Sequence, residues 1–547
     1  MKKAYGILPI MICASMLVSL AGCGTKEPET TAAQTAAVQT TEAESSVESA
    51  VTETETVPDA ESADYIDIVL SENGVAVNGQ AAGTDSSSAV YIANDIIYYE
   101  DRYNYDSGNP YGEGTASDRH TAEEAAANTV VYITEAGTYR LSGTLHGQVR
   151  VDLGEDADTD PDAVVTLIFD GADITCDVAP AVVFANVYEC DGDSTAETAT
   201  AIVDTSAAGA NVMIADSSVN TITGSHIARI YKDDDQQKKL VKQDGAFYSC
   251  MSMNIDGGEA GDGTLNIIAD NEGLGTEMHL TINGGILNIF SQDDGVNTNE
   301  DGISVTTING GEVHIISGLG AEGDGVDSNG WLVINGGTVV ACANPAADSG
   351  LDSDLGSYIN GGTVVSLGST MDWADSDSKA VTINLQFASY EDANESIVVT
   401  DLDGNTVFEF DPAADAVLAD NSRRYMGAVI SCPEFEVGES YQVYVGGILQ
   451  GYTGTDVAMG PGAMGPGGMG GGRPDMPEGG FPGRPDGERP DMPGGPQPSE
   501  GNPMQGGPQP GGTGQPEESG QMNNIFVMGD AVNAFSGVSD FIENAGN

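Results

Sequence analysis

Ile282-Asn283-Gly284-Gly285 returns as Ile308-Asn309-Gly310-Gly311, Ile334-Asn335-Gly336-Gly337 and Ile359-Asn360-Gly361-Gly362, at steps of 26, 26 and 25 residues. A degenerate copy, Ile255-Asp256-Gly257-Gly258, stands 27 residues before the first of these. Alternating apolar residues flank each copy, which is typical of a strand with one buried face. A repeat of this length indicates a stacked architecture, in which each unit packs on the one before it.

The repeat predicts an all-β protein built as a right-handed parallel β-helix. Its unit is too short and too rich in β-branched residues for paired helices, and it lacks the leucine and tryptophan signatures of horseshoes and propellers. Successive turns of such a helix stack about 4.8 Å apart, and right-handed winding is the default. The Asn-Gly-Gly element then reads as a tight corner, because Asn and Gly tolerate a left-handed backbone. We expect the four asparagines to form a structural amide ladder.

A second recurrence follows the strand pairs, and it is acidic. Three loops carry the candidate metal ligands, which are Asp293, Asp294, Asn297, Asp324, Asp327, Asn329, Asp348 and Asp352. If the loops stack, carboxylates about 5 Å apart repel by roughly 3 to 4 kcal/mol at an effective dielectric near 20. Residues 243–378 contain 21 Asp and Glu but no Lys or Arg. A hard cation with oxygen ligands is therefore the expected counter-ion, and Ca²⁺ fits best. The alternative is that Asp-Gly is only good turn chemistry on a solvated face.

The chain opens with Met1-Lys2-Lys3, an apolar run to Leu20, and then Leu20-Ala21-Gly22-Cys23. This order predicts an export signal over residues 1–22. Its ending resembles a bacterial lipobox, which implies cleavage before Cys23 and lipidation of that residue. The protein would then be held by acyl chains on the extracellular face of the bacterial cell membrane. A plain secretory signal with a chance cysteine is the alternative.

Composition divides the rest of the chain. Residues 23–62 are rich in Thr, Glu, Ala and Ser and predict a disordered, lipid-anchored spacer. An N-terminal β region is expected over 63–129, the β-helix over 130–375, and a small β cap that covers open strand edges over 376–455. The Gly/Pro/Met-rich segment 456–523 predicts disorder. Residues 524–547 regain strand character and are a candidate for docking on the folded part.

The order of several motifs resembles a known family. The motifs are the Ile-Asn-Gly-Gly repeats together with Gly137-Thr138-Tyr139-Arg140-Leu141-Ser142-Gly143, Thr166-Leu167-Ile168-Phe169-Asp170-Gly171-Ala172-Asp173-Ile174 and Gly323-Asp324-Gly325-Val326-Asp327-Ser328-Asn329-Gly330. Together they resemble the carbohydrate-binding domain-containing proteins over roughly residues 130–368. The resemblance implies a calcium-binding right-handed parallel β-helix that looks like a pectate lyase but binds cellulose- and pectin-type polysaccharides without cleaving them.

The resemblance also transfers a calcium-loop pattern, to Asp294, Asn297, Asp324, Asp327 and Asp352. Two departures weaken the transfer. The segment from Phe247 to Met253 lacks the acidic residues expected on its turn of the helix, and the basic insertion from Arg229 to Lys242 has no evident counterpart.

Charge and chemistry favour binding over catalysis. A net charge of −67, from 85 Asp and Glu against 18 Lys and Arg, excludes nucleic acid as a natural partner and suits a cation-rich extracellular setting. A β-eliminating lyase needs a base, commonly Arg or Lys on such a scaffold, and the repeats have none. A hydrolase would pair carboxylates, and Asp293-Asp294 offers a pair without companion motifs.

The predicted ligand is a polysaccharide along a flat face of the repeats. Bound Ca²⁺ could bridge the acidic loops to uronate carboxylates, and Trp331, Tyr358 and Trp373 are candidates for stacking on sugar rings. Packing in the core or cap is the alternative for each aromatic residue. Two other functions stay open at this point: a surface adhesin or spacer with a protein ligand, and a calcium-dependent pectate lyase-like enzyme.

Overall fold

The structure is a computed structural model that describes residues 65–71, 74–100, 114–231, 239–320, 322–346, 348–369, 372–415, 417–419, 423–455 and 522–542. The chain divides into two units, 1–62 and 63–547, and every described residue belongs to the second. The predicted export signal, Cys23, the spacer and most of the Gly/Pro/Met-rich segment lie outside the described residues. Over the described ranges, no helix has the length and apolar character needed to cross a membrane.

The prediction of an all-β protein is confirmed over the described ranges. These contain one short helix, α1 (Ala122–Ala126), which begins at a capping box formed by Thr121 and Glu124, and two 3-10 turns at Ala157–Thr159 and Pro412–Ala414. The strands that precede the repeats are β1 (Ile66–Leu70), β2 (Ala76–Val77), β3 (Gln80–Ala81), β4 (Val90–Ala93), β5 (Thr129–Ile133), β6 (Gly137–Asp152), β7 (Val165–Cys176), β8 (Val182–Asn186), β9 (Ala210–Ile214), β10 (Val219–Gly224), β11 (Ile227–Tyr231) and β12 (Lys239–Gln243).

Three strands make up each full repeat. The strands of this region are β13 (Gly245–Ser249), β14 (Met253–Gly257), β15 (Thr264–Ala269), β16 (Glu272–Thr276), β17 (Leu280–Ile282), β18 (Ile286–Phe290), β19 (Val296–Thr298), β20 (Val305–Ile308), β21 (Glu312–Ile316), β22 (Val326–Ser328), β23 (Trp331–Ile334), β24 (Thr338–Cys342), β25 (Ser357–Ile359) and β26 (Thr363–Gly368).

Each repeat strand pairs in parallel with its counterparts one repeat before and one repeat after. The first series is β9, β14, β17, β20, β23 and β25. The second series is β10, β15, β18, β21, β24 and β26. The third series is β8, β13, β16, β19 and β22. Parallel pairing begins before the repeats, because β1 pairs with β6 and β6 with β7.

Register places like residues above one another inside the stack. Ile255, Ile282, Ile308, Ile334 and Ile359 pair in succession and are all fully buried. Burial of one such side chain is worth about 1.5–3 kcal/mol. Because one face of every strand contributes to this core, a slip of one residue would turn the buried side chains outward. The hydrophobic columns therefore fix the register of the polar residues described below.

The Asn-Gly-Gly corners join the first series to the second. The predicted amide ladder is confirmed: the Asn309, Asn335 and Asn360 amides each donate to Oδ1 of the preceding asparagine, at 2.9, 2.9 and 3.0 Å. The left-handed residue is the second glycine rather than the asparagine, as at Gly311 with φ of 82°. The first glycine is required by close approach, since a Cβ on Gly310 would lie 2.6 Å from the Asn283 carbonyl oxygen.

The C-terminal strands form a second, mostly antiparallel part. They are β27 (Thr382–Asp392), β28 (Ile397–Asp401), β29 (Thr406–Phe410), β30 (Arg424–Ser431), β31 (Ser440–Val445), β32 (Ile448–Gly451), β33 (Phe526–Val527) and β34 (Val532–Asp540). β30 runs antiparallel to β26, the last strand of the second series, and so covers its open edge. β34 pairs with β27 and β32, so the segment after residue 521 is part of this fold.

Candidate metal centre and polysaccharide groove

The acidic loops stack in the register of the third series. β19 pairs with β22 so that Asn297 lies opposite Asp327, and Leu351 bridges Val326 in parallel. The backbone bond from Asp352 to Val326 places Asp352 next in the Asn297 column. A second column runs parallel to it through Glu272, Asp294, Asp324 and Ser349. We call the carboxylates of these two columns, with Asp293 and Asp348 beside them, the acidic ladder.

Backbone amides tie successive steps of the acidic ladder together. The Asp324 N–H donates to Asp294 Oδ1 at 2.7 Å, and the Ser349 N–H donates to Asp324 Oδ1 at 2.5 Å. The Gly323 N–H donates to Asp348 Oδ2 at 2.8 Å. Each of these three carboxylates therefore contacts an adjacent loop, as the predicted stacking of loops requires. Asn329 stands apart: it lies just after the end of β22, and its amide donates to Asn299 O and Asp301 Oδ1, both at 3.0 Å.

The acidic ladder carries more negative charge than its surroundings can stabilise. Burial, then repulsion from Asp352, Asp294 and Asp327, raises the pKa of Asp324 to about 9, against an opposing bond from Ser349 N–H. Burial and Asp352 raise the pKa of Asp327 to about 7. Burial and neighbouring carboxylates also raise the pKa of Asp293 to about 6 and that of Asp294 well above its ordinary value.

Two buried oxygens at the centre of the acidic ladder lack a hydrogen-bond donor. The Asn297 amide donates to Glu272 Oε1 at 3.0 Å and faces Asp294 Oδ2 at 3.3 Å, while Glu272 Oε2 and Asn297 Oδ1 are buried without a partner. Burial, then repulsion from Asp244 and Asp294, raises the pKa of Glu272 well above its ordinary value. Unsatisfied carboxylate and amide oxygens are the donor set that Ca²⁺ accepts, so these residues fit the predicted ion.

The coordination sphere is not assembled in this structure. Over the described ranges, no three His, Cys, Asp or Glu side chains converge closely enough to hold a metal. The reason is visible in the bonding, since Asp294, Asp324 and Asp348 are turned toward backbone amides of adjacent loops. Asn, backbone and water oxygens would have to complete any calcium site.

Fixed cations border the acidic ladder at both ends, although the repeats between them contain none. Lys242, from the hairpin of β11 and β12, lies 2.5 Å from Asp244 Oδ2. Burial acts to lower the pKa of His226, but its hydrogen bonds to Asp118 and Asp270 outweigh burial and raise that pKa to about 10. At the other end the Arg423 guanidinium donates to the Gly318 carbonyl. The basic insertion from Arg229 to Lys242 therefore places a positive charge beside the first step of the acidic ladder.

Glu272 was missed by the sequence analysis, as was Asp372, which accepts a hydrogen bond from Ser349 Oγ at 3.1 Å. A signal for Glu272 was present. Glu272-Gly273-Leu274-Gly275, Asp294-Gly295-Val296-Asn297, Asp324-Gly325-Val326-Asp327 and Ser349-Gly350-Leu351-Asp352 share one phrase. Successive copies of the phrase are 22, 30 and 25 residues apart, and because of this irregular spacing the recurrence was not recognised.

A polar groove of about 600 Å³ follows the first series, on a different corner of the repeat from the acidic ladder. Its floor is the outward column of Asn211, Asn254, Thr281, Thr307 and Val333, which pair in succession. One side is the asparagine ladder, and the other is the loop at residues 201–206. No acidic-ladder residue lines it. We call this feature the asparagine groove.

The loop that walls the asparagine groove is anchored to the floor. The Thr205 hydroxyl donates to Asn254 Oδ1, and the Asn254 amide donates to the Thr205 carbonyl, both at 2.8 Å. Beneath the same loop the Val305 N–H donates to His279 Nδ1 at 3.1 Å, so the His279 Nε2–H is the donor to Asp191, at 3.0 Å. The wall is thus fixed to the floor, where Thr205 takes up polar groups of both Asn254 and Thr281.

The predicted aromatic residues lie beside the groove rather than in it. Trp331 and Tyr358 are half-buried. Trp331 is on the same face as Val333, two residues along β23, and Tyr358 follows Val333 in register on β25. Trp373 packs against the hydrophobic core. None of the three contributes to the lining of the groove.

The fold and these two features define a class: an acidic repeat protein with stacked parallel strands and a long polar groove. The chain belongs to the carbohydrate-binding domain-containing protein family, whose profile matches residues 127–192 and 190–431. Carbohydrate is therefore the general class of partner. Among solved structures, the chain is similar to the "polysaccharide lyase-like protein from C. thermocellum, Gadolinium derivative", with 20% identity over 56% of this chain and 94% of that chain and a TM-score of 0.32. No curated protein matches the chain.

Proposed function

We propose that this protein binds a cellulose- or pectin-type polysaccharide in the asparagine groove without cleaving it. The observation that carries the proposal is the groove itself, because the exposed amides of the asparagine ladder repeat along it at the strand spacing of about 4.8 Å, close to the length of one pyranose unit. Amides and hydroxyls both donate and accept, as sugar hydroxyls do. Family membership supports the same class of ligand.

Three further features belong to the proposal. The stacked strands wind as a right-handed parallel β-helix, the handedness that parallel crossovers favour. Ca²⁺ binds the acidic ladder and stabilises the stack. Since the acidic ladder and the asparagine groove share no residue, the ion acts on the scaffold rather than on the sugar. Acyl chains on Cys23 hold the protein on the outer face of the cell membrane.

The absence of cleavage is proposed from the groove's chemistry. A lyase needs a base together with cations that neutralise the uronate carboxyl. The described lining of the groove contains a single basic side chain, Lys379, and the proposed calcium site lies on another corner. The carboxylates of Asp204 and Asp256 would repel a uronate rather than activate it.

The test is retention on insoluble cellulose and on polygalacturonate, using the full chain with Cys23→Ser so that no lipid interferes. Binding is measured with Ca²⁺ and with chelator, while the supernatant is monitored for unsaturated sugars. We expect retention on the glycan and no released product. Chelator should weaken binding only to the extent that removal of Ca²⁺ loosens the fold. The variant that tests the groove is Thr307→Ala with Asn309→Ala, at lining positions that are not buried, and it should abolish retention. Lack of retention on every glycan would instead favour a protein ligand, and released product would establish a lyase.

A further inference from the structure

The column of the asparagine ladder continues by one position at each end, where a charged residue replaces asparagine. Each ladder asparagine donates its backbone N–H to an isoleucine carbonyl of the preceding repeat, as Asn360 does to Ile334 at 2.7 Å. The Lys379 N–H makes the same bond to Ile359, at 3.0 Å. Lys379 therefore takes the position after Asn360. At the opposite end Asp256 takes the position before Asn283, because Ile255 pairs with Ile282.

The side-chain hydrogen bonds give this ladder a direction. Each of the three bonds runs from the amide nitrogen of one asparagine to Oδ1 of the one before it, from Asn360 back to Asn283. The amide dipoles are thus aligned, with their positive end toward Asp256 and their negative end toward Lys379. Asp256 thus stands at the positive end of the row and Lys379 at the negative end, which is the favourable arrangement for aligned dipoles. The groove is electrostatically polar along its length.

Lys379 is the single Lys or Arg between residues 243 and 422 of a chain with a net charge of −67. Its side chain is exposed and lines the asparagine groove. Among the described residues, no carboxylate lies within ion-pairing distance of its ammonium group. By contrast, Lys242 and Arg140 are each paired with an aspartate. An unpaired cation at the end of a ligand groove is available to a charged group of the ligand.

We infer that the asparagine groove selects a polysaccharide that is neutral along most of its length and presents one isolated carboxylate, such as a single uronic acid unit, to Lys379. This inference rests on the proposed function of the groove. A polyuronate fits less well, because its other carboxylates would meet uncharged amides and the acidic end formed by Asp256 and Asp204.

The experiment compares three oligosaccharides of equal length on the full chain with Cys23→Ser, at constant Ca²⁺. They are a cello-oligosaccharide, the same molecule with one glucose oxidised to glucuronic acid, and an oligogalacturonide. Calorimetry should give the tightest binding for the singly oxidised molecule and the weakest for the oligogalacturonide. An exposed ion pair of 0.2–1 kcal/mol corresponds to a preference of up to about fivefold, and added salt should reduce it.

Lys379→Gln tests the residue directly. We expect it to abolish the preference for the singly oxidised oligosaccharide over the neutral one. Arg424→Gln is the matched control, because it removes the same charge from an exposed residue that stacks on Tyr390 outside the groove, and it should leave the preference intact. A preference that survives Lys379→Gln, or strongest binding of the oligogalacturonide, would overturn the inference and leave the proposed function standing. Failure of all three sugars to bind would overturn both.

Discussion

At the scale of single residues, the corner glycines carry constraints that their neighbours do not. The first glycine of each Asn-Gly-Gly corner faces the preceding repeat so closely that a Cβ on Gly336 or Gly361 would meet an asparagine carbonyl oxygen at 2.6 Å, as on Gly310. The second glycine is required by its left-handed backbone. The two adjacent glycines of each corner are thus required for two different physical reasons.

Gly310→Ala should therefore destabilise the protein by about 1–3 kcal/mol, the usual cost of an overpacked site, because the clash is with backbone that the stack holds in place. Gly529→Ala is the matched control, since nothing lies within 4 Å of the added methyl group, and it should change the free energy of unfolding little. Urea unfolding measures both. Equal stability of the two variants would show that the corners can shift.

Glu272 is the residue on which the candidate metal centre depends most. In calcium-free protein, burial and the neighbouring carboxylates Asp244 and Asp294 raise the pKa of Glu272 well above its ordinary value, so Glu272→Gln, which resembles the protonated side chain, should alter stability little in that state. In saturating Ca²⁺ the same change removes a charged ligand and should reduce the calcium-induced gain by about 1–3 kcal/mol. Asp403→Asn, in an exposed turn, is the control. An undiminished calcium effect in Glu272→Gln would place the ion elsewhere.

At the scale of elements, regular spacing decided what the sequence could predict. The Ile-Asn-Gly-Gly corners recur at 26, 26 and 25 residues, and both the strand pairing and the amide ladder follow from them. Glu272 was missed because its phrase recurs at uneven steps. The wall of the groove could not be predicted either, since the loop between β8 and β9 is an insertion without a repeat. Lys379 was missed because it fills an asparagine position after the motif has ended.

A further prediction concerns the contribution of strand β34 to the stability of the C-terminal part. Its Phe535 and Val538 are buried in the second hydrophobic core, and it pairs with both β27 and β32. Deleting residues 522–547 should open that core and lower the unfolding midpoint of the C-terminal part. Replacing residues 456–521 by a short Gly/Ser linker is the control. It should be tolerated, because Tyr452 and Asn523 already pair backbone to backbone, at 2.8 and 2.9 Å. Circular dichroism during urea unfolding distinguishes the two deletions.

At the scale of the whole molecule, the acidic ladder couples stability to both pH and calcium. Asp293, Asp327 and Asp324 have pKa values of about 6, about 7 and about 9 in the folded chain, against an ordinary value of 3.8. A carboxyl whose folded pKa is raised contributes stability that is complete below its unfolded pKa and is lost as the pH rises through its folded pKa. These groups therefore favour the folded state near pH 4 and oppose it by pH 9.

Without calcium, the free energy of unfolding should fall between about pH 5 and pH 9. One unit of raised pKa on each of the three groups would already give a decline of about 4 kcal/mol. Carboxylates with lowered pKa, such as Asp262, add their stability below this window and do not offset the decline. With calcium the slope should reverse, because the ion binds only deprotonated ligands and displaces their protons. Urea titrations at several pH values, with and without Ca²⁺, measure both slopes. A calcium-free stability that stays level or rises up to pH 9 would mean that fixed charges such as Lys242 and Arg423 already compensate the ladder, and that no ion is needed to hold the stack together.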